Sequence, residues 1–153
     1  MSKTYDNIGL RFRYPENWEI GEESASSFPL SVSLETPGGG FWSAQVFDTS
    51  DPHETTMEIL KTMREEYKQL EADSVIETID PHQLCGFDLH FYCLDLLVSA
   101  SIRGVTLPGS HRRCLVVMYQ AEDREFDRLQ PVFAAILTDL LRNQQLAAAS
   151  EEN

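Results

Sequence analysis

Three histidine–cysteine pairs have residue types that could hold a metal ion. The members of each pair stand three residues apart: His82 with Cys85, His90 with Cys93, and His111 with Cys114. Zinc sites usually combine close Cys-x-x-Cys or His-x-x-x-His pairs with defined loops. On an extended strand, His90 and Cys93 would point to opposite faces and could not share one ion without distortion. We therefore predict no metal site and no cofactor, and we interpret these residues as buried free cysteines and surface histidines.

A second group could bind a cation through oxygen atoms. Asp48, Asp51, His53 and Glu54 stand together where a helix is predicted to begin. The positive end of the helix dipole opposes a cation there, whereas an aspartate directly before a proline is a common helix start. We therefore interpret Asp51 as the N-cap of this helix.

A third group is basic in an otherwise acidic chain. If residues 107–110 close a hairpin, Arg103 comes close to Arg112 and Arg113 near its tip, with His111 beside them. Such a cluster could bind a carboxylate, a phosphate or an acidic loop of a partner. The other interpretation, which we favour, is a solvated hairpin whose charges protect a sheet edge from aggregation.

Three aromatic residues form the last candidate site. Trp18, Phe41 and Trp42 could leave aromatic surface at one end of a sheet, where such side chains anchor protein interfaces. More often, such residues fill the core between sheet and helix.

Motifs of hydrolytic chemistry are missing from the sequence. It contains no Gly-x-Ser-x-Gly elbow and no His-Glu-x-x-His, and adjacent acids such as Glu65-Glu66 normally face water separately. We therefore expect a protein that binds rather than one that catalyses.

Composition narrows the class of partner. The chain has 153 residues, 42% of them apolar, and a formal net charge of −13. A surface this negative repels nucleic-acid phosphates and anionic membranes but suits a basic protein. An odd number of cysteines fits reduced thiols, and the N-terminus lacks the apolar stretch of a secretory signal, so we expect a cytoplasmic location.

Alternating apolar and polar residues predict several strands. The alternation covers residues 8–14, 18–20, 30–34, 41–47, 74–79 and 113–119. A long apolar segment also runs from Phe87 to about Ile102. Its continuity predicts that both faces of the sheet are partly covered there.

Two segments have the apolar spacing of helices. The first begins at Asp51 and is expected to run to about Glu71. The last, from Phe126 to Leu141, contains Pro131, which predicts either a kink or an early end of its first turn. The elements together predict one α+β domain over residues 1–145, followed by a tail at 146–153.

Residues spread along the chain carry a family resemblance. They comprise Phe12-Arg-Tyr-Pro15 followed by Trp18, the hairpin with Phe41-Trp42, Tyr67 near a helix end, Gly86 opening a strand, and Phe126, Phe133 and Ile136-Leu137 near the end. These features resemble the PsbP-like superfamily, which includes the extrinsic P protein of photosystem II and a Ran-binding nuclear-transport protein. The resemblance covers about residues 6–142. It implies a central antiparallel sheet sandwiched by helices in α/β/α layers, and a role in binding or assembly without a shared active site.

From these observations we predict a non-enzymatic module that binds a protein partner. The alternative is a small-ligand carrier or enzyme whose pocket lies between the sheet and the C-terminal helix, near Tyr119 and Phe126.

Overall fold

The computed structural model describes residues 1–22, 26–109 and 112–152. The elements in these ranges are β1 Ser2–Asn7, β2 Leu10–Pro15, β3 Glu19–Glu22, β4 Leu30–Glu35, β5 Phe41–Phe47, α1 Pro52–Glu66, β6 Glu71–Ile79, β7 His82–Cys93, β8 Leu96–Thr106, β9 Cys114–Glu122 and α2 Asp123–Glu152. None of the described helices is long and apolar enough to cross a membrane.

A seven-stranded antiparallel sheet lies at the centre of the molecule. Its strand order is β3-β4-β5-β9-β8-β7-β6, and β1 with β2 forms a separate two-stranded hairpin. The helix α2 and this hairpin pack on one face of the sheet, whereas α1 packs on the other. The predicted α+β class, with a central antiparallel sheet between helices, is therefore confirmed.

The α2 face of the sheet carries the larger core. Alternation along β5 turns Trp42, Ala44 and Val46 inward. The apolar stripe of α2 adds Phe133 and Leu137, both fully buried, to the same core. The helix lies against β2 of the hairpin and against β9 and β8 of the sheet.

Polar side chains of α2 hold the β1–β2 hairpin in place. The backbone N–H of Arg13 donates to Asp139 Oδ2 at 2.8 Å. The side-chain amides of Asn143 and Gln144 donate to the carbonyls of Arg11 and Gly9, at 3.0 and 2.5 Å. These contacts cover the outer edge of β2, which would otherwise be an open strand edge.

The opposite face of the sheet packs against α1. Leu60 of α1 lies in a cluster with Phe87, Leu89 and Phe91 of β7. Asp51 caps the helix, with its Oδ1 accepting from the Glu54 N–H at 3.0 Å, so the predicted N-cap is confirmed.

The chain reverses at two places where the sequence pattern did not indicate a turn. Residues 8–14 were expected to form one strand, but the chain reverses at Ile8 and Gly9, which both have positive φ, and pairs β1 with β2. The apolar segment from Phe87 to Ile102 likewise reverses at Leu94 and Asp95. Ile8 and Leu94 are not usual turn formers, and Asp95, which is one, stands alone in an apolar segment, so the pattern did not indicate these reversals.

The helix limits also differ from the sequence expectation. The helix α1 ends at Glu66 rather than near Glu71, because β6 already begins at Glu71. The helix α2 begins at Asp123, runs without interruption past the exposed Pro131 and includes 146–152, the described part of the predicted tail. Sheet pairing of β6 therefore overrides the helical spacing after Glu66, and packing of α2 on the core overrides the break expected at Pro131.

Candidate functional site

Arg103 lies at the centre of a buried polar network on the α2 side of β8. Its Nε donates to Glu77 Oε2 at 2.7 Å, and its Nη2 donates to Asp88 Oδ1 at 2.8 Å. Its Nη1 donates to the carbonyls of Phe87 and Ile102. Burial alone would lower the Arg103 pKa, but the hydrogen bonds that Arg103 donates to Glu77 and Asp88 outweigh burial and raise it. This arginine is thus a permanently charged structural link between three strands.

The predicted basic cluster is therefore divided. Arg103 is committed to Glu77 and Asp88 inside the sheet, so it cannot join an exposed site at the hairpin tip. Arg112 is exposed, and the half-buried Arg113 places its guanidinium 4.6 Å from the centre of the Phe28 ring. His111 lies outside the described residues.

The predicted aromatic surface is mostly core. Trp18 is buried against Phe133, with ring centres 5.6 Å apart, and Trp42 is buried against Phe12, with centres 5.0 Å apart. Only Phe41 of the three predicted residues is exposed, at 38%. The core interpretation is thus correct for both tryptophans.

Aromatic rings also fill the space where the alternative hypothesis placed a ligand pocket. Tyr119 stacks on Phe133 at 5.2 Å and on Phe126 at 6.3 Å between centres. Burial raises the Tyr119 pKa, with Arg103 acting in the opposite direction. A groove of about 450 Å³ lies on the other face, beside α1, with Phe47, Ile59 and Met63 in its wall. A smaller pocket of about 150 Å³ lies between the β6–β7 turn and α2, beside His82 and Leu141.

The three cysteines differ in burial: Cys114 is buried, whereas Cys85 and Cys93 are half-buried. Cys85, Cys93 and Cys114 are free thiols. Burial raises the pKa of Cys114, so at neutral pH it stays a protonated and weak nucleophile. Within the described parts of the chain, no three His, Cys, Asp or Glu side chains come together as metal ligands.

The tip of the β7–β8 hairpin, residues 92–96, is an exposed apolar projection. Leu94 is 92% exposed, Tyr92 60% and Leu96 49%. Cys93 pairs with Leu96, so Leu94 and Asp95 form a two-residue turn with φ of 50° and 67°. Both central residues thus have the positive φ that such hairpin turns require, a conformation that favours Asn and Gly over leucine.

The other hairpin of this type shows why the tip is unusual. Ile8 also has φ of 50°, but its side chain packs against the main core, and burial offsets the backbone cost. Leu94 has no such compensation in the isolated chain. Sequence reasoning missed this tip, and the only signal was Asp95, a single charge in a long apolar segment.

Comparison with known proteins identifies the fold. No protein-family model and no curated protein matches the chain. The solution structure of CyanoP, a cyanobacterial PsbP from Synechocystis, is similar with a TM-score of 0.62 and 12% identity over 90% of each chain. A crystal structure from Bacteroides thetaiotaomicron has a TM-score of 0.52 and 10% identity, covering 83% of this chain and 43% of that one. The chain therefore has the PsbP-like fold that the resemblance implied.

Proposed function

We propose that this chain is a non-enzymatic protein-binding or assembly module of the cytoplasm, and that the tip of the β7–β8 hairpin contacts the partner. The observation that carries the proposal is Leu94, which is both 92% exposed and held at positive φ. Strained backbone that no local interaction explains is concentrated at functional sites. Exposed tyrosine and leucine beside it supply the apolar anchors of an interface.

Energetics support this assignment. A non-glycine residue in the left-handed region costs about 1–2 kcal/mol, and exposed Leu94 has no burial to offset that cost. Burying one leucine side chain against a partner stabilises a complex by roughly 1.5–3 kcal/mol. Burial of Leu94 by a partner would therefore remove its exposed apolar surface and offset the backbone cost of its positive φ.

Charge indicates which partner fits. The chain has a net charge of −13, and Asp95 lies at the tip itself. Arg103 is already paired with Glu77 and Asp88 and does not offset the charge of Asp95. A basic protein surface is the complementary partner, whereas nucleic acid and anionic membranes are repelled. Three free cysteines support the reducing environment of the cytoplasm.

Site-specific photo-crosslinking tests the proposal. A photoreactive residue at position 94 in cells of the natural host should capture one defined protein. The matched control is position 146, where Leu146 is also an exposed leucine, 63% accessible, but lies near the end of α2. Capture of the same products from both positions, or of none from position 94, would overturn the proposal.

A further inference from the structure

The outer edge of β6 is an unprotected strand edge. β6 is 9 residues long and lies at the end of the sheet, where it pairs only with β7 among the described strands. It contains neither proline nor lysine, the residues that commonly block such edges. Ile76, near its middle, is 74% exposed.

Two other strand edges of the described structure are protected. Polar side chains of α2 cover β2, as described above. β3, at the opposite end of the sheet, has only 4 residues, and its Glu22 accepts hydrogen bonds from Tyr5 and Asn7 of the β1–β2 hairpin. β1, the remaining edge strand, is shorter and contains Lys3, so β6 is the longest of the described edge strands and carries neither kind of protection.

The α2 side of this edge is acidic. Asp73 of β6 lies directly opposite Asp88 of β7, and Glu71 lies opposite His90. Arg103 is the only Lys or Arg on β6, β7 or β8, and it is shared between Asp88 and Glu77. The carboxylates of Glu71 and Asp73 have no ion-pair partner among the described residues, so a cation added beside them would be favoured.

A second copy of the chain fits this edge poorly in the register centred on Val75. Two β6 strands paired antiparallel about Val75 would place Asp73 of each copy opposite Glu77 of the other. Both are acidic, and like charges directly opposite one another destabilise a strand pair. A strand with Lys or Arg opposite Asp73 and Glu77 is instead attracted to them.

We propose that β6 receives an extended segment of a protein partner as an additional strand of the sheet. The segment alternates Lys or Arg, beside Glu71 and Asp73, with apolar residues beside Ile76 on the other face, because successive side chains of a strand alternate between faces. Glu71 lies opposite His90, two residues before Tyr92, so the edge adjoins the tip of the β7–β8 hairpin. This inference rests on the proposed function and specifies its partner.

A synthetic peptide as long as β6, alternating Lys and Val with both ends capped, is the direct probe. Titration of the full chain should give saturable binding at low salt. Its backbone amide NMR signals should shift at residues 71–79. Two further peptides are N-methylated at every second residue, one at the odd-numbered positions and the other at the even-numbered positions. Both keep their charge, but each loses the N–H donors along one edge of the peptide strand. Strand addition predicts that only one of the two loses binding.

Charge variants test whether the acidic residues on the α2 side of β6 attract the peptide. Asp73→Lys should weaken peptide binding about tenfold at low salt. Asp127→Lys, the same change at an exposed position of α2, should leave it unchanged. Equal binding of all three peptides, or shifts outside residues 71–79, would overturn strand addition. If crosslinking from position 94 still captures a partner in that case, the proposed function stands and only this inference fails.

Discussion

The guanidinium of Arg103 lies 2.7 Å, Nε to Oε2, from the carboxylate of Glu77, across two strand boundaries of the sheet. The Arg103 side chain is 7% exposed, and that of Glu77 is 34% exposed. The same guanidinium binds Asp88 on the strand between them. One buried arginine therefore joins β8, β7 and β6, and it holds the edge strand of the sheet in place.

Loss of Arg103 should destabilise the fold. Arg103→Met would leave Glu77 and Asp88 without their cation, and Asp88 would still face Asp73. Because both carboxylates are partly exposed, we expect a loss of about 2 kcal/mol in urea unfolding, less than for a fully buried pair. Arg124→Met is the control, since that side chain is 86% exposed and should change the free energy of unfolding by less than about 0.5 kcal/mol.

Gly86 should not tolerate a side chain. It lies opposite Arg103 in the β7–β8 register, and a Cβ there would meet the Ile102 carbonyl oxygen at 1.8 Å. Gly86→Ala should lower the free energy of unfolding by about 3 kcal/mol or prevent folding. Gly38→Ala, with no atom within 4 Å of its Cβ, should be nearly neutral. Equal stability of the two variants would contradict the close approach of the Ile102 carbonyl oxygen to Gly86.

The β7–β8 turn should be easy to stabilise. Leu94→Asn with Asp95→Gly supplies the residues that two-residue turns with positive φ favour, and the removed leucine is exposed. We expect the free energy of unfolding to rise by about 1 kcal/mol, with a higher Tm. A lower Tm would indicate that Leu94 contributes to folding, which would remove the reason for assigning it to a partner.

Stability should fall at high pH. Burial raises the pKa of Tyr119 above its ordinary value of 10.0, and burial with a hydrogen bond to Glu22 raises that of Tyr5. Both residues hold their protons more tightly when folded, so their contribution is complete below about pH 10 and is lost as the pH rises through the raised values.

Tyr119→Phe should therefore show a shallower decline in unfolding free energy above pH 10 than the parent chain. Between about pH 6 and 8 the difference between the two proteins should stay constant, which serves as the internal control. Parallel curves up to the highest pH would contradict the raised pKa of Tyr119.

The elements that could be predicted from the sequence are those with a regular spacing of apolar residues or a clear helix-start signal. Alternation identified β4 and β5, and the Asp51-Pro52 pair located the start of α1. The turn at Leu94 carried only the weak signal of Asp95, because Leu94 is apolar and the strands on either side are apolar as well. The Arg103 network was also hidden, since Glu77, Asp88 and Arg103 meet only through strand register over 26 residues of chain. Residue type alone also does not tell whether an arginine such as Arg103, or a tryptophan such as Trp42, is buried or exposed.

Native mass spectrometry on chain purified at low salt from its own host tests the central claim most directly. The parent should carry a defined additional mass of protein size, and the variant with Leu94→Asn and Asp95→Gly should lose it while being the more stable protein. Retention of the same protein mass by the variant would contradict the tip as the contact. A small-molecule adduct in place of a protein would contradict the binding-module function itself.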